Sequence, residues 1–144
     1  MNDNISWSEL ARLPIAKMKD VLRARFVGRD EGTKMGFSPV VLTRLATAIS
    51  EITRNVVQHA GCAGEIHIGR ITNRDKAGLR IIVSDRGKGI DRPERFLEDG
   101  KGATLGAGLP GTRRLVDQFQ IESAPGTGTT VTLDLWKKRE IPES

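Results

Sequence analysis

The chain has 144 residues with 38% hydrophobic residues, which suits one soluble domain around a single core and excludes a disordered or collagen-like protein. Its formal net charge of +5 favours anionic partners. The single cysteine, Cys62, excludes an internal disulfide and favours a cytoplasmic location. Because no apolar run approaches the roughly 18 residues of a membrane span, and only 4% of residues are aromatic, we expect no membrane partner and no nucleic-acid partner.

The first quarter of the chain predicts a short edge strand and then a helix. The strand is expected at residues 14–19, where Ile15 and Met18 do not alternate cleanly. Asp20 is the predicted N-cap of the helix, and Gly36 fits its C-terminal stop. Two internal glycines, at positions 28 and 32, weaken this helix prediction.

The clearest helix begins at Ser38 and Pro39, a hydroxyl cap followed by a first-turn proline. An apolar stripe that repeats at intervals of three and four faces the predicted core: Leu42, Leu45, Ile49, Ile52 and Val56. Beside it, Glu51 and Asn55 stand four residues apart, so a carboxylate and an amide lie on one helix face. This pair suits either a metal-bound phosphate with a general base or an ordinary exposed helix face.

The second half of the chain predicts two hairpins and two short helices. Strands are expected at 66–72 and 79–85, and again at 119–123 and 131–135 around a turn at 125–126. Short helices are expected at 93–99 and 109–119. Together these elements predict an α/β, or α+β, two-layer sandwich with helices on one face of the sheet, forming one domain over residues 1–144.

Two glycine-containing motifs follow these elements. Asp85, Gly87 and Gly89 come directly after a buried strand, which is typical of an aspartate-initiated turn or of a ligand site with close backbone approach. The segment from Gly100 to Gly111 precedes a helix, and its free N–H groups favour an anion such as phosphate. The alternative is a flexible surface loop. Within this segment a G-x-G-x-x-G pattern lacks the preceding strand of a dinucleotide site.

A zinc site is not expected from His59, Cys62 and His67. Their spacing is irregular, no fourth ligand accompanies them, and His67 belongs to a predicted strand. The basic run at 137–139 is interpreted as a solvated tail.

Four motifs in order resemble the N, G1, G2 and G3 boxes of the GHKL ATPases. They are Ser50-Glu51-Ile-Thr-Arg-Asn55, Asp85-x-Gly87-x-Gly89, Gly106-x-Gly108-Leu109 and Gly126-x-Gly128-Thr129. The chain is similar to the small bacterial anti-sigma-factor serine/threonine kinases of this family, over a core of about residues 20–136.

The resemblance implies a Bergerat ATP-binding fold with a mixed sheet, and ATP and Mg²⁺ as ligands. It assigns Glu51 as the catalytic base, Asn55 as the magnesium ligand and Asp85, assisted by Thr129, as the adenine contact. The remaining nucleotide-binding positions that it implies are Gly87, Gly89, Gly100, Lys101, Gly102, Gly106, Ala107, Gly108 and Leu109.

The resemblance also implies partners. The expected substrates are STAS-domain antagonist and scaffold proteins of a stressosome, and the released kinase is expected to activate a PP2C-type phosphatase or another downstream effector. Two alternatives stay open: an anti-sigma factor that sequesters a sigma subunit, and a nucleotide-sensing adaptor without catalysis.

Overall fold

The computed structural model describes residues 4–59, 62–87 and 108–137. In chain order its elements are β1 (Ser6–Ile15), α1 (Met18–Lys34), α2 (Pro39–His59), β2 (Gly64–Asn73), β3 (Lys76–Asp85), α3 (Gly108–Leu115), β4 (Gln118–Ala124) and β5 (Gly128–Trp136). None of the helices in these ranges is both long and apolar enough to cross a membrane.

The described strands form one five-stranded sheet in the order β1-β2-β3-β5-β4. All four pairings are antiparallel, so this sheet is antiparallel rather than mixed. The helices cover one face of it, which confirms the expected two-layer α+β architecture.

The core lies between α2 and the sheet. Leu45 and Ile49 of the predicted α2 stripe are fully buried, and the stripe packs with inward side chains of four strands. These include Ile66, Ile68, Leu79, Ile81 and Leu133. Because the apolar stripe faces the sheet, the polar residues beside it are placed at the border of the core.

The predicted edge strand at 14–19 is wrong in its position. β1 starts earlier and ends at Ile15, and α1 begins at Met18. Asp20 is not the N-cap: its Oδ2 accepts hydrogen bonds from the backbone N–H groups of Ala16 (2.9 Å) and Lys17 (3.0 Å), from a position one turn inside the helix. These bonds, the one from Ala16 above all, lower the pKa of Asp20 below its ordinary value.

Gly28 and Gly32 were expected to weaken α1, but the helix runs through both of them. Both glycines are buried and pack against α2. A Cβ at Gly28 would overlap Cδ1 of Ile49, and one at Gly32 would lie 2.8 Å from Cδ2 of Leu42. The absence of side chains therefore lets the two helices approach closely, and α1 continues to Lys34.

The hairpins of the second half are confirmed, whereas the last helix is shorter than predicted. α3 ends at Leu115 because the chain turns there to join the sheet. The N–H of Asp117 donates to the carbonyl of Asp134 (3.0 Å), and the Asp117 carboxylate accepts from the N–H of Trp136 (2.7 Å). The helix predicted at 93–99 falls outside the described residues.

Candidate functional site

Three strand ends meet at Asp85. This residue closes β3, and its Cα partners are Gly64 at the start of β2 and Thr129 near the start of β5. Asp85, the predicted adenine contact, and Thr129, predicted to assist it, are therefore directly opposite each other on the neighbouring strands β3 and β5.

Two glycines allow close approach to Asp85. A Cβ at Gly64 would overlap the carbonyl of Ser84 and would lie 3.1 Å from both Asp85 Cβ and Val56 Cγ1. The C-terminal part of α2, which carries Asn55, therefore reaches the end of β3. A Cβ at Gly128 would overlap the Asp85 carbonyl, and the φ of +85° at Gly128 is one that other residues rarely adopt.

The Asp85 carboxylate is half-buried, and it has one oxygen in use. Its Oδ1 accepts the N–H of Gly87 at 2.7 Å, the bond of an aspartate turn. The two interpretations of this motif, an aspartate-initiated turn and a ligand site, are therefore compatible, since the turn orients the Asp85 carboxylate. A fixed, half-buried carboxylate is a hydrogen-bond acceptor suited to an exocyclic amine.

The Thr129 hydroxyl is oriented by Ser123. Ser123 Oγ donates to the carbonyl of Gly128 (2.9 Å) and lies 2.7 Å from Thr129 Oγ1. Because the single Ser123 proton is given to a carbonyl that can only accept, Thr129 donates to Ser123 in this pair. Thr129 is also directly opposite Asp85 on the neighbouring strand, so its hydroxyl lies on the same face of the sheet as the Asp85 carboxylate. Ser123 belongs to none of the sequence motifs, and its only signal in the sequence is its position just before the predicted turn.

Glu51 and Asn55 lie on α2 at the border of the core, both half-buried. Glu51 Oε1 accepts a hydrogen bond from Nη1 of Arg54 at 2.9 Å, which leaves its second oxygen without a partner in the described ranges. The Asn55 side chain makes no hydrogen bond to another described residue, so its amide oxygen can accept a ligand.

The glycine segment is described only at its C-terminal end. Gly108 and Leu109 begin α3, which packs on α2. On α3, Thr112 is 1% exposed, and its hydroxyl has no hydrogen-bond partner in the described structure. Six other predicted nucleotide-binding positions lie outside the described residues: Gly89, Gly100, Lys101, Gly102, Gly106 and Ala107.

The three residues weighed as zinc ligands have separate surroundings. Nδ1 of His67 is 2.7 Å from a Glu9 carboxylate oxygen, and its Nε2 is 2.7 Å from one of Glu65. The Cys62 thiol is exposed. Within residues 4–59, 62–87 and 108–137, no group of three His, Cys, Asp or Glu side chains is placed to hold a metal ion.

Comparison with known proteins places this geometry in a family. Residues 41–139 match the family model of histidine kinase-, DNA gyrase B- and HSP90-like ATPases. The chain is 42% identical over 119 residues to serine/threonine-protein kinase RsbT of Bacillus subtilis, covering 81% of this chain and 89% of that protein. It is 27% identical to serine-protein kinase RsbW of Bacillus pumilus, with 97% and 91% covered.

Solved structures agree on the fold. The crystal structure of the RsbU and RsbW domains of Rv1364c from Mycobacterium tuberculosis matches with a TM-score of 0.59 at 23% identity, over 88% of this chain and 32% of that one. The histidine kinase domain of a blue-light activated kinase from Erythrobacter litoralis matches with a TM-score of 0.50 at 19% identity, over 82% and 59%. The chain therefore belongs to the histidine kinase-, DNA gyrase B- and HSP90-like ATPases and, within them, to the small serine/threonine-protein kinases.

Proposed function

We propose that this protein transfers the γ-phosphoryl group of ATP to a serine or threonine of a STAS-domain protein in a stress-signalling pathway. The observation that carries the proposal is the convergence of α2, β3 and β5, which brings the helix bearing Glu51 and Asn55 to the Asp85 end of the sheet. The similarity to RsbT supports the choice of a protein substrate.

Each residue has a proposed role set by its chemistry. Asp85 accepts a hydrogen bond from the adenine amino group, beside the hydroxyl of Thr129. Glu51 takes the proton of the substrate hydroxyl while the oxygen of that hydroxyl bonds to the γ-phosphorus. At the same time the bond between the γ-phosphorus and the oxygen that bridges it to the β-phosphate breaks, which releases ADP. Glu51 is a suitable acceptor because Arg54 holds one of its oxygens and leaves the other available.

A magnesium ion fits the donor set at Asn55. The amide oxygen of Asn55 is a hard ligand, and it has no competing hydrogen bond to another described residue. One such side-chain oxygen, together with nucleotide phosphates and water, is a usual magnesium environment. When bound, the ion would neutralise negative charge on the transferring phosphoryl group.

Phosphorylation of the substrate is proposed to act as a switch. The new phosphate adds nearly two negative charges beside those of the nucleotide, and their repulsion favours release. The released kinase would then present its surface to a PP2C-type phosphatase. The proposed setting is a stressosome in the cytoplasm.

The test is a transfer assay with purified components. The chain is incubated with labelled ATP, Mg²⁺ and each STAS-domain protein of the source organism, and pull-downs are made before and after ATP is added. We expect label on a serine or threonine of one such protein and weaker capture after labelling. Tight ATP-independent capture of a sigma subunit with no labelled STAS protein would support the anti-sigma alternative. ATP binding without any transfer would support the adaptor.

A further inference from the structure

The strand β4 forms one edge of the described sheet. The strand order β1-β2-β3-β5-β4 leaves β5 as the only described strand that pairs with it. In an antiparallel pair, the N–H and C=O groups of every second residue point away from the partner strand. On the outer side of β4 these groups have no strand partner within the described residues, and such a row of groups is a template for another strand.

The opposite edge, β1, is protected against such pairing. Its register with β2 is interrupted between Glu9 and Ala11, as in a β-bulge. Pro14 has no N–H to donate, and Arg12 adds a charge to the strand. Bulges, prolines and charges are the usual features that keep an edge strand from pairing with another chain.

The edge at β4 has almost none of these features. It pairs with β5 from Gln118 to Ala124 in an unbroken register, it contains no proline or lysine, and Glu122 is its only charged residue. Phe119 and Ile121 are only partly buried against the core. An added strand would cover more of their apolar surface, so the backbone and the side chains of this edge both favour a strand partner.

A cavity of about 670 Å³ adjoins this edge. Its lining includes Gln118 and Gln120 of β4 and Arg113 of α3. The two glutamines are exposed and alternate along the strand with the half-buried Phe119 and Ile121. Side chains of a strand added beside β4 would therefore enter the cavity at every second position.

Arg113 is the cation of this cavity that is available to a second chain. Arg80 is held by Asp134 through two hydrogen bonds of 2.8 and 2.9 Å. The other carboxylate of the lining, Asp117, accepts the N–H of Trp136 at 2.7 Å. Arg113 is exposed and makes no ion pair in the described part of the chain. A carboxylate that enters the cavity therefore finds a guanidinium group that no described carboxylate contacts.

A second copy of β4 is complementary to this edge. With the two strands antiparallel about a twofold axis and Gln120 opposite Gln120, Glu122 of each copy lies opposite Gln118 of the other. The same register places Phe119 opposite Ile121. The facing side chains are then amide with carboxylate and apolar with apolar. The two Glu122 carboxylates stay apart, whereas like charges directly opposite each other would destabilise the pair.

We propose that two copies of this protein associate through antiparallel pairing of their β4 strands, with Gln120 on the twofold axis. The two sheets become one continuous sheet, and Glu122 of each copy lies beside Arg113 of the other. The pairing involves neither α2 nor Asp85, so it goes beyond the proposed phosphoryl transfer and does not depend on it. Because each copy contributes a single strand, we expect a weak dimer with a dissociation constant of about 10–300 μM.

The test introduces charge at position 120, where each side chain would face its own copy. Gln120→Glu and Gln120→Lys each place like charges opposite each other, so the dimer dissociation constant should rise about fivefold or more in each variant. An equimolar mixture of the two variants places opposite charges together and should restore association to at least the wild-type level. Gln58→Glu and Gln58→Lys, at an exposed position of α2, are the matched controls and should stay within about twofold of wild type.

Association is measured by sedimentation velocity. In the mixture it is also measured by energy transfer between dyes on Cys62, the single cysteine, whose thiol is exposed. The melting temperatures of all variants should match wild type. If the variants at position 120 melt earlier, Glu122→Lys replaces them, and Arg113→Glu/Glu122→Lys is then expected to restore the association that Glu122→Lys loses.

Amide hydrogen exchange identifies the surface that is used. As the concentration of the chain rises, the amides of every second β4 residue, those that point away from β5, should become protected. A monomer at about 1 mM chain overturns the inference, and so does a dimer in which these amides stay unprotected. Equal dissociation constants for wild type and both position-120 variants overturn it as well. None of these measurements involves ATP, so failure of the proposed kinase function is detected separately, in the transfer assay.

Discussion

The variant Glu51→Gln distinguishes two interpretations of Glu51, one as a catalytic base and the other as a member of an ordinary ion pair on α2. The Glu51 and Arg54 side chains are 31% and 35% exposed and are three residues apart on α2, so their pair contributes only about 0.3–0.5 kcal/mol to stability. Loss of a general base lowers the transfer rate by about 10²–10⁴-fold, or about 2.7–5.4 kcal/mol of barrier. The two interpretations therefore predict activation barriers for transfer that differ by several kcal/mol, whereas they predict nearly the same free energy of unfolding.

Arg54→Ala is the matched control because it removes the same ion pair and keeps the carboxylate. Single-turnover transfer from labelled ATP is measured at saturating partner, so that weaker docking near Arg54 does not enter the rate. We expect Glu51→Gln to lose at least 100-fold in rate with ATP affinity and melting temperature unchanged, and Arg54→Ala to lose less than tenfold. Equal rate losses in the two variants, or a wild-type rate in Glu51→Gln, would refute the role of Glu51 as the base.

Three further perturbations test the site and the start of α1. Asp85→Asn should weaken ATP binding, measured by calorimetry, by about 5- to 150-fold, because a misplaced amide donor costs about 1–3 kcal/mol; equal affinities would contradict the adenine role. Ser123→Ala should reduce ATP affinity about fivefold by releasing the Thr129 hydroxyl, with loss of about 1 kcal/mol; an unchanged affinity would remove Ser123 from the site. Because the pKa of Asp20 is lowered in the folded protein, its carboxylate stabilises the fold above the unfolded-state pKa of about 3.9, and this stabilisation is lost as the pH falls through the folded-state pKa. Asp20→Asn should therefore lower the free energy of unfolding at neutral pH by about 0.5–2 kcal/mol. Between neutral and acidic pH, the free energy of unfolding should fall less in this variant than in the wild type; identical acid unfolding curves would contradict this.

Local patterns in the sequence were sufficient for most elements of this protein. The three- and four-residue spacing of Leu42, Leu45, Ile49 and Ile52 defined α2 and its buried face, because helix periodicity depends only on near neighbours. The same holds for the hairpins, whose alternation and turn residues lie within a few positions of each other. The ordered boxes around Asn55 and Asp85 identified the family, which the comparisons confirmed.

Tertiary contacts decided what local patterns could not. Gly28 and Gly32 disfavour a helix by propensity, yet they stay helical because α2 occupies the space their side chains would fill. Aspartate is a residue type typical of N-caps, yet Asp20 lies inside α1, which begins at Met18 after β1 has continued to Ile15. From there its carboxylate accepts the N–H of Ala16, which precedes the helix. The pairing of Ser123 with Thr129, and the cavity that Arg113 and Gln118 line together, join residues from different elements. Their physical cause is packing and hydrogen bonding across the fold, which sequence spacing does not encode.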